Sequence, residues 1–192
     1  MRPKMVFTGL GLILLTSLVY MGFSQTKKEK GSQQNLVSRG EYLVTIGGCN
    51  DCHTPKIFTE KGMEFDPKKL LSGHPAGTKL PPLEPNMLKP GSWLLFNEHL
   101  TVAVGPWGMT YAANLTPDEQ TGIGLWKEEN FVKALKTGKH MGAGRPIMPP
   151  MPWMNLAQAS DEDLAAIFAY LKSLPPVKNS VPAPVPPDAM FK

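Results

Sequence analysis

Five consecutive residues, Cys49-Asn50-Asp51-Cys52-His53, carry the chemistry most legible in this chain. Thiols three positions apart, followed at once by an imidazole, form the C-x-x-C-H arrangement of covalent haem c attachment. Each thiol bonds one haem vinyl group, and the histidine falls where it can ligate iron as the proximal ligand. The sequence holds two cysteines, so one haem c is the most the chain can bind covalently. Other uses of a cysteine pair fit less well. A thioredoxin-like pair belongs beside a βαβ unit, and no strand–helix alternation is visible here. A structural zinc ion needs four ligands, whereas His74, His99 and His140 are scattered singly. A disulfide closing so short a loop would contribute little stability.

A second ligand to the iron has to come from elsewhere. Three methionines crowd one Pro-rich stretch, Met148-Pro149-Pro150-Met151-Pro152-Trp153-Met154. Proline fixes φ without needing a donor partner, so such a loop can hold a sulfur in place. A methionine ligand raises the reduction potential of a haem and leaves no open coordination position. Residue types alone leave Met148, Met151 and Met154 open. Arg145 is a candidate partner for a haem propionate, because a guanidinium matches a carboxylate in a fork; an exposed arginine is the alternative. Trp126 packs either on the haem edge or in the protein core.

The elements that must position these residues follow in chain order. Met1-Arg2-Pro3-Lys4 is basic, and Met5 to Phe23 is almost wholly apolar. With small residues Gly22 and Ser24 before a cleavage point, residues 1–24 read as a signal peptide, or alternatively as an N-terminal membrane anchor. Either way the protein is exported to the periplasm or another extracytoplasmic space. Residues 1–35 hold five basic groups and one acid, which accounts for the whole-chain net charge of +4. The remainder is formally neutral, so the basic balance gives no reason to expect nucleic-acid binding. Residues 25–35 read as a polar linker.

Ser38 and Glu41 form an S-x-x-E pair that predicts a helix start, and Gly47-Gly48 a stop before the cysteines. From Thr54 to Met109 the chain is rich in Pro, Gly and Lys and reads as an irregular insert wrapping an apolar surface. A short strand is expected near Thr101 to Val104. Helices return at Lys127, with Phe131, Val132 and Leu135 apolar and Gly138 as the stop, and after a Ser160 cap, with Leu164, Ile167, Phe168 and Leu171 in the core. Residues 179–192 form a Pro-rich tail.

With these stretches in place, residues 36–178 resemble a class I-type mono-haem cytochrome c domain. The likeness is greatest to the haem domains of periplasmic dehydrogenase cytochrome subunits. It rests on Gly40-Glu41-Tyr42-Leu43 before Cys49–His53, and on Asn114-Leu115-Thr116-Pro117-Asp118 with Thr121-Gly122-Ile123-Gly124-Leu125-Trp126. Met151-Pro152-Trp153 and Asp161-Glu162-Asp163-Leu164 complete it. The resemblance implies an all-α cytochrome c fold with a long irregular insert, its first and last helices crossing near Gly40 and Tyr170. It implies His53 and Met151 as axial ligands, with Met148 the alternative, because in such cytochromes the ligand methionine precedes a proline and an aromatic residue.

The resemblance implies an electron carrier rather than an enzyme, either free or as the electron-transfer subunit of an oxidoreductase complex. Its donor would be a dehydrogenase, its acceptor a cytochrome or oxidase of the respiratory chain, and membrane association would run through the N-terminus. A five-coordinate haem c that binds or senses gases is the other class left open. The spacing makes a direct prediction. Replacing both Cys49 and Cys52 by Ala abolishes the haem stain that survives denaturing electrophoresis, and a stain that persists rules the attachment site out.

Overall fold

The computed structural model describes residues 32–85, 91 and 93–191; the predicted signal segment and linker residues 25–31 lie outside them. The chain divides into two units, 1–36 and 37–192. Of the first unit, residues 32–36 are described, and they are helical. The helix, α1, spans 32–46. Residues 32–35 were expected in the linker, and Ser38 was expected to start the helix. The helix begins before Ser38: a polar, exposed helical turn shows no apolar periodicity, so nothing in the pattern betrays it.

Gly47 and Gly48 end α1 as expected, and Gly48 adopts φ 65°. The cysteines then lie on a separate short helix, α2 (Cys49–His53), rather than on the end of α1. The later helices are α3 (Glu128–Thr137), α4 (Trp153–Leu156) and α5 (Asp161–Ser173). Helix α3 starts at Lys127, whose N–H donates to the Asn130 side chain, and stops at Gly138 in the left-handed region, φ 66°. Helix α5 is capped by the Ser160 hydroxyl, which accepts from the Asp163 N–H. Three acids fill its first turn, where the helix dipole favours them.

The expected all-α fold is overturned. The segment read as an irregular insert carries two antiparallel sheets, so the fold is mixed α and β. Strands β1 (Lys56–Thr59) and β2 (Gly62–Phe65) form a hairpin with Lys56 opposite Phe65 and Phe58 opposite Met63. Strands β3 (Leu95–Phe96), β4 (Val102–Gly105) and β5 (Gly108–Tyr111) form a second sheet, in the order β3-β4-β5. The strand expected near Thr101 to Val104 is β4, buried along its whole length. The C-terminal tail lies on this sheet, with Met109 and Val185 exchanging backbone hydrogen bonds at 2.8 and 2.9 Å.

The apolar core sits among the helices. Val44 of α1, Leu71, Ile123, Phe131 and Leu135 of α3, and Leu164, Ile167, Phe168 and Leu171 of α5 form one buried cluster. The Phe131 and Phe168 rings meet at 5.3 Å. The expected contact between Gly40 and the last helix is present. A Cβ on Gly40 would stand 1.9 Å from the Ala166 carbonyl oxygen and 2.7 Å from the Tyr170 Cβ. Helices α1 and α5 therefore touch backbone to backbone there. A bidentate pair between Arg39 and Asp163, with Nε–Oδ1 at 3.0 Å, spans the same contact at the surface, where it adds little stability.

Gly40→Ala should force α1 off α5. The expected cost is about 1–3 kcal/mol, the range of overpacked cores, read as a lower urea midpoint. An unchanged midpoint means that the two helices do not meet at Gly40.

Candidate haem-attachment site

Cys49 and Cys52 project from one turn of α2, three positions apart, where side chains share a helix face. Both are free and half-buried, and burial pushes both thiols up in pKa, Cys49 helped by no cation. His53 is 92% removed from solvent, and its Nδ1 donates to the Ala113 carbonyl at 2.8 Å. A carbonyl can only accept, so this bond fixes the tautomer and leaves Nε2 for a metal. Burial pushes the His53 pKa down, keeping the ring neutral as a ligand must be. Among the described residues, no three His, Cys, Asp or Glu side chains converge as a zinc site requires.

Two free thiols on one helix face and an oriented, neutral imidazole fit a covalent haem. The Ala113 carbonyl is held from both sides. Behind it, the Asn114 side chain accepts from Thr116 N–H (3.0 Å) and Thr116 hydroxyl (2.7 Å), and donates to the Val177 carbonyl (2.8 Å) and Thr121 hydroxyl (3.1 Å). Asn114 and Thr116 are buried, so these bonds satisfy groups that water cannot reach. Asp118 closes the loop by accepting from Thr121, a bond that holds the carboxylate below its usual range.

On the other side lies Gly73, at φ 78°. Its N–H donates to the His53 carbonyl at 2.7 Å, and a Cβ there would meet the Ala112 and Ala113 backbone at 2.4–2.7 Å. The same strand of chain is pinned at Leu71, whose N–H donates to Thr54 Oγ1 at 2.8 Å, and at Ser72 and His74, whose carbonyls accept from Asn179 at 2.7 and 2.8 Å. Sequence reasoning assigned no role to Gly73, Thr54 or Asn179. Their signal is faint: a polar residue or glycine in a loop is ordinary until burial is known.

The methionine loop is fixed by three contacts. Thr110 of β5 donates to the Pro149 carbonyl at 2.7 Å, Ile147 N–H donates to the Gly138 carbonyl at 2.7 Å, and the Trp153 ring covers Gly138. Met151 is half-buried and packs on the same core cluster as Cys49. Met148 is half-buried but does not pack there, and Met154 is 65% exposed. Trp126 packs against that cluster too, and its ring meets His140 edge-on at 4.9 Å. Arg145 is exposed, and its guanidinium donates to the Pro146 carbonyl at 3.3 Å. Its charge pushes the His140 pKa down, second to burial.

No protein-family model matches the chain. The chain is similar to the gluconate 2-dehydrogenase cytochrome c subunit of Pantoea cypripedii, 32% identical over 135 residues, which cover 70% of this chain and 22% of that protein. It is similar also to the cytochrome c subunit of the quinone alcohol dehydrogenase of Gluconobacter oxydans, 28% identical over 139 residues, covering 72% and 21% respectively. A third relative is the diheme cytochrome c-type protein of Cereibacter sphaeroides, 25% identical over 172 residues, covering 88% and 47%. The similarity is thus to c-type cytochromes, the first two being subunits of dehydrogenases. The chain spans between about a fifth and a half of the length of these three relatives.

The packing of Gly73 supplies a test. Gly73→Ala should displace the Ala113 carbonyl from His53, costing about 1–3 kcal/mol from strain and overpacking. Covalent haem yield and the urea midpoint should both fall. Gly77→Ala is the control, since Gly77 has φ 77° but nothing within 4 Å of an added Cβ. Equal losses in both variants would mean that backbone strain alone is responsible.

Proposed function

We propose that residues 36–178 form a mono-haem c domain that carries single electrons, with His53 and Met151 as the axial ligands. The observation that carries this reading is the site at α2: two free thiols on one face, and His53 oriented through Ala113 so that Nε2 is the ligating nitrogen. Similarity to dehydrogenase cytochrome subunits supports it. Two cysteines allow this chain one covalent haem, although one relative carries the name diheme.

When bound, haem c supplies a reversible one-electron couple. The protein's part is to bind, orient and shield. Cys49 and Cys52 anchor the group covalently. His53 is held neutral by burial and aimed by Ala113. Met151 is favoured over Met148 and Met154 because it alone of the three packs on the core that Cys49 also touches. A sulfur fixed by core packing is better placed to stay on a metal than one facing water. Arg145, free of any carboxylate among the ion pairs of the described residues, is available to a propionate.

The donor is a periplasmic dehydrogenase and the acceptor a cytochrome or oxidase of the respiratory chain, and the protein itself is an electron carrier. Residues 1–24 direct it out of the cytoplasm as a signal peptide or anchor. Among the described residues no helix is long and apolar enough to cross a membrane, and residues 1–24 are not among them.

Reversible one-electron titration of the purified protein tests the carrier reading. Met151→Ala tests the ligand: it should remove the sulfur-to-iron charge-transfer band of the oxidised protein and lower the midpoint potential, since a methionine ligand raises it. Met148→Ala should keep the band. The reverse outcome transfers the ligand to Met148.

A further inference from the structure

A lysine next to the attachment motif is buried where a charged side chain is rarely found. Lys56, the first residue of β1, is 4% exposed. Its Nζ donates to the carbonyls of Thr54 (2.7 Å), Asn50 (3.3 Å) and Asp51. An ammonium has three donors, and here three carbonyls receive them. A neutral amine would turn its lone pair toward one of those oxygens, so the geometry is that of the charged form. Lys56 enters none of the ion pairs among the described residues. The Phe65 ring lies across the hairpin, 5.2 Å from Nζ to the centroid, and the Asp51 carboxylate acts on the ammonium from beyond ion-pair distance.

Burying a cation without an ion pair is costly, and burial is the main cause that lowers its pKa. A short helix needs its terminal carbonyls satisfied, yet a glycine or a hydroxyl could do that at lower cost. Of the two residues between His53 and Lys56, Thr54 is informative. Thr54 already caps α2, its N–H donating to the Asn50 carbonyl. The charge itself is therefore the feature that capping leaves unexplained.

We propose that Lys56 is a positioning residue for the redox centre, whose fixed positive charge at the end of α2 raises the reduction potential of a haem held there. The inference rests on the haem reading above. Loss of one electron leaves the iron centre one unit more positive, and a nearby cation in a poorly screened interior disfavours that state. Reduction is favoured in the same direction as by methionine ligation. The field of Lys56 already acts on this helix: it opposes the burial that raises the Cys52 pKa, and adds a smaller push to the burial that lowers that of His53. One electron enters from a reduced donor protein and leaves to an oxidised acceptor, and Lys56 keeps its protons throughout.

The test compares midpoint potentials of the haem-loaded protein with Lys56→Gln, Lys56→Met and Lys56→Arg. Gln keeps two donors without charge, Met keeps the stem alone, and Arg keeps the charge. Potentials of Gln and Met variants should both fall, with covalent haem and the sulfur–iron band retained, while Arg stays near the parent value. Unchanged potentials in the neutral variants overturn the proposal, and so does an equal fall in all three. Loss of covalent haem from both neutral variants also overturns it, moving the role of Lys56 to assembly of α2. A parent protein without covalent haem would instead sink the haem reading, which separates the two failures.

Discussion

The hydrogen bond from His53 Nδ1 to the Ala113 carbonyl joins segments 60 residues apart, and the architecture around it serves to keep that oxygen still. A five-residue helix has no stability of its own, because nucleating a helix costs more than so few bonds return. Helix α2 is held in place from outside: Gly73 binds its last carbonyl, Thr54 its side, and Lys56 its end. The Asn114–Thr116–Thr121 network fixes the other partner of the bond. Removing any one of these leaves a buried donor or acceptor unpaired, which costs more than the hydrogen bond contributes.

Two kinds of interior result. The helices α1, α3 and α5 enclose an apolar core of aliphatic and phenylalanine side chains. The layer between α2 and the insert is polar instead, with Thr54, Ser72, His74, Thr101, Asn114 and Thr116 all buried. Leu71 joins the two. Its side chain is in the core while its backbone, at φ 55°, sits in a region a branched residue avoids, at a cost of about 1–3 kcal/mol. Core burial of the leucine and its two backbone bonds, to Thr54 and Leu115, offset that strain.

The helical half of the molecule was legible because its signals are local. The Ser160 cap, the acids behind it, the apolar stripe from Leu164 to Leu171 and the Gly138 stop each lie within a few residues of what they determine. The attachment motif is equally local. Apart from β4, expected near Thr101 to Val104, the strands were not legible, and the all-α expectation failed with them. The strands are two to four residues long, β1 opens with a lysine that turns inward, and β3–β5 carry glycine at the turn. Alternation over so short a run does not separate strand from loop. The N-L-T-P-D stretch was recognised by likeness, but the use of Asn114 as a polar hub depends on Val177 and Thr121, which sequence adjacency cannot supply.

The clamp made by Asn179 has a kinetic side. Its side chain reaches Ser72 and His74, 107 and 105 residues earlier in the chain. Contacts of such separation pay their loop-closure entropy before they return any stability, and topologies rich in them fold slowly. Helices α3 and α5 can pair from nearer residues, whereas the strap over residues 72–76, like the contact of α1 with α5, must close a loop of more than 100 residues. Without the strap, Ser72 and His74 lose the Asn179 contacts that flank the Gly73 N–H on the His53 carbonyl. The distance along the sequence between the strap and the motif it secures thus weighs on the folding rate of the segment around α2 rather than on its final stability.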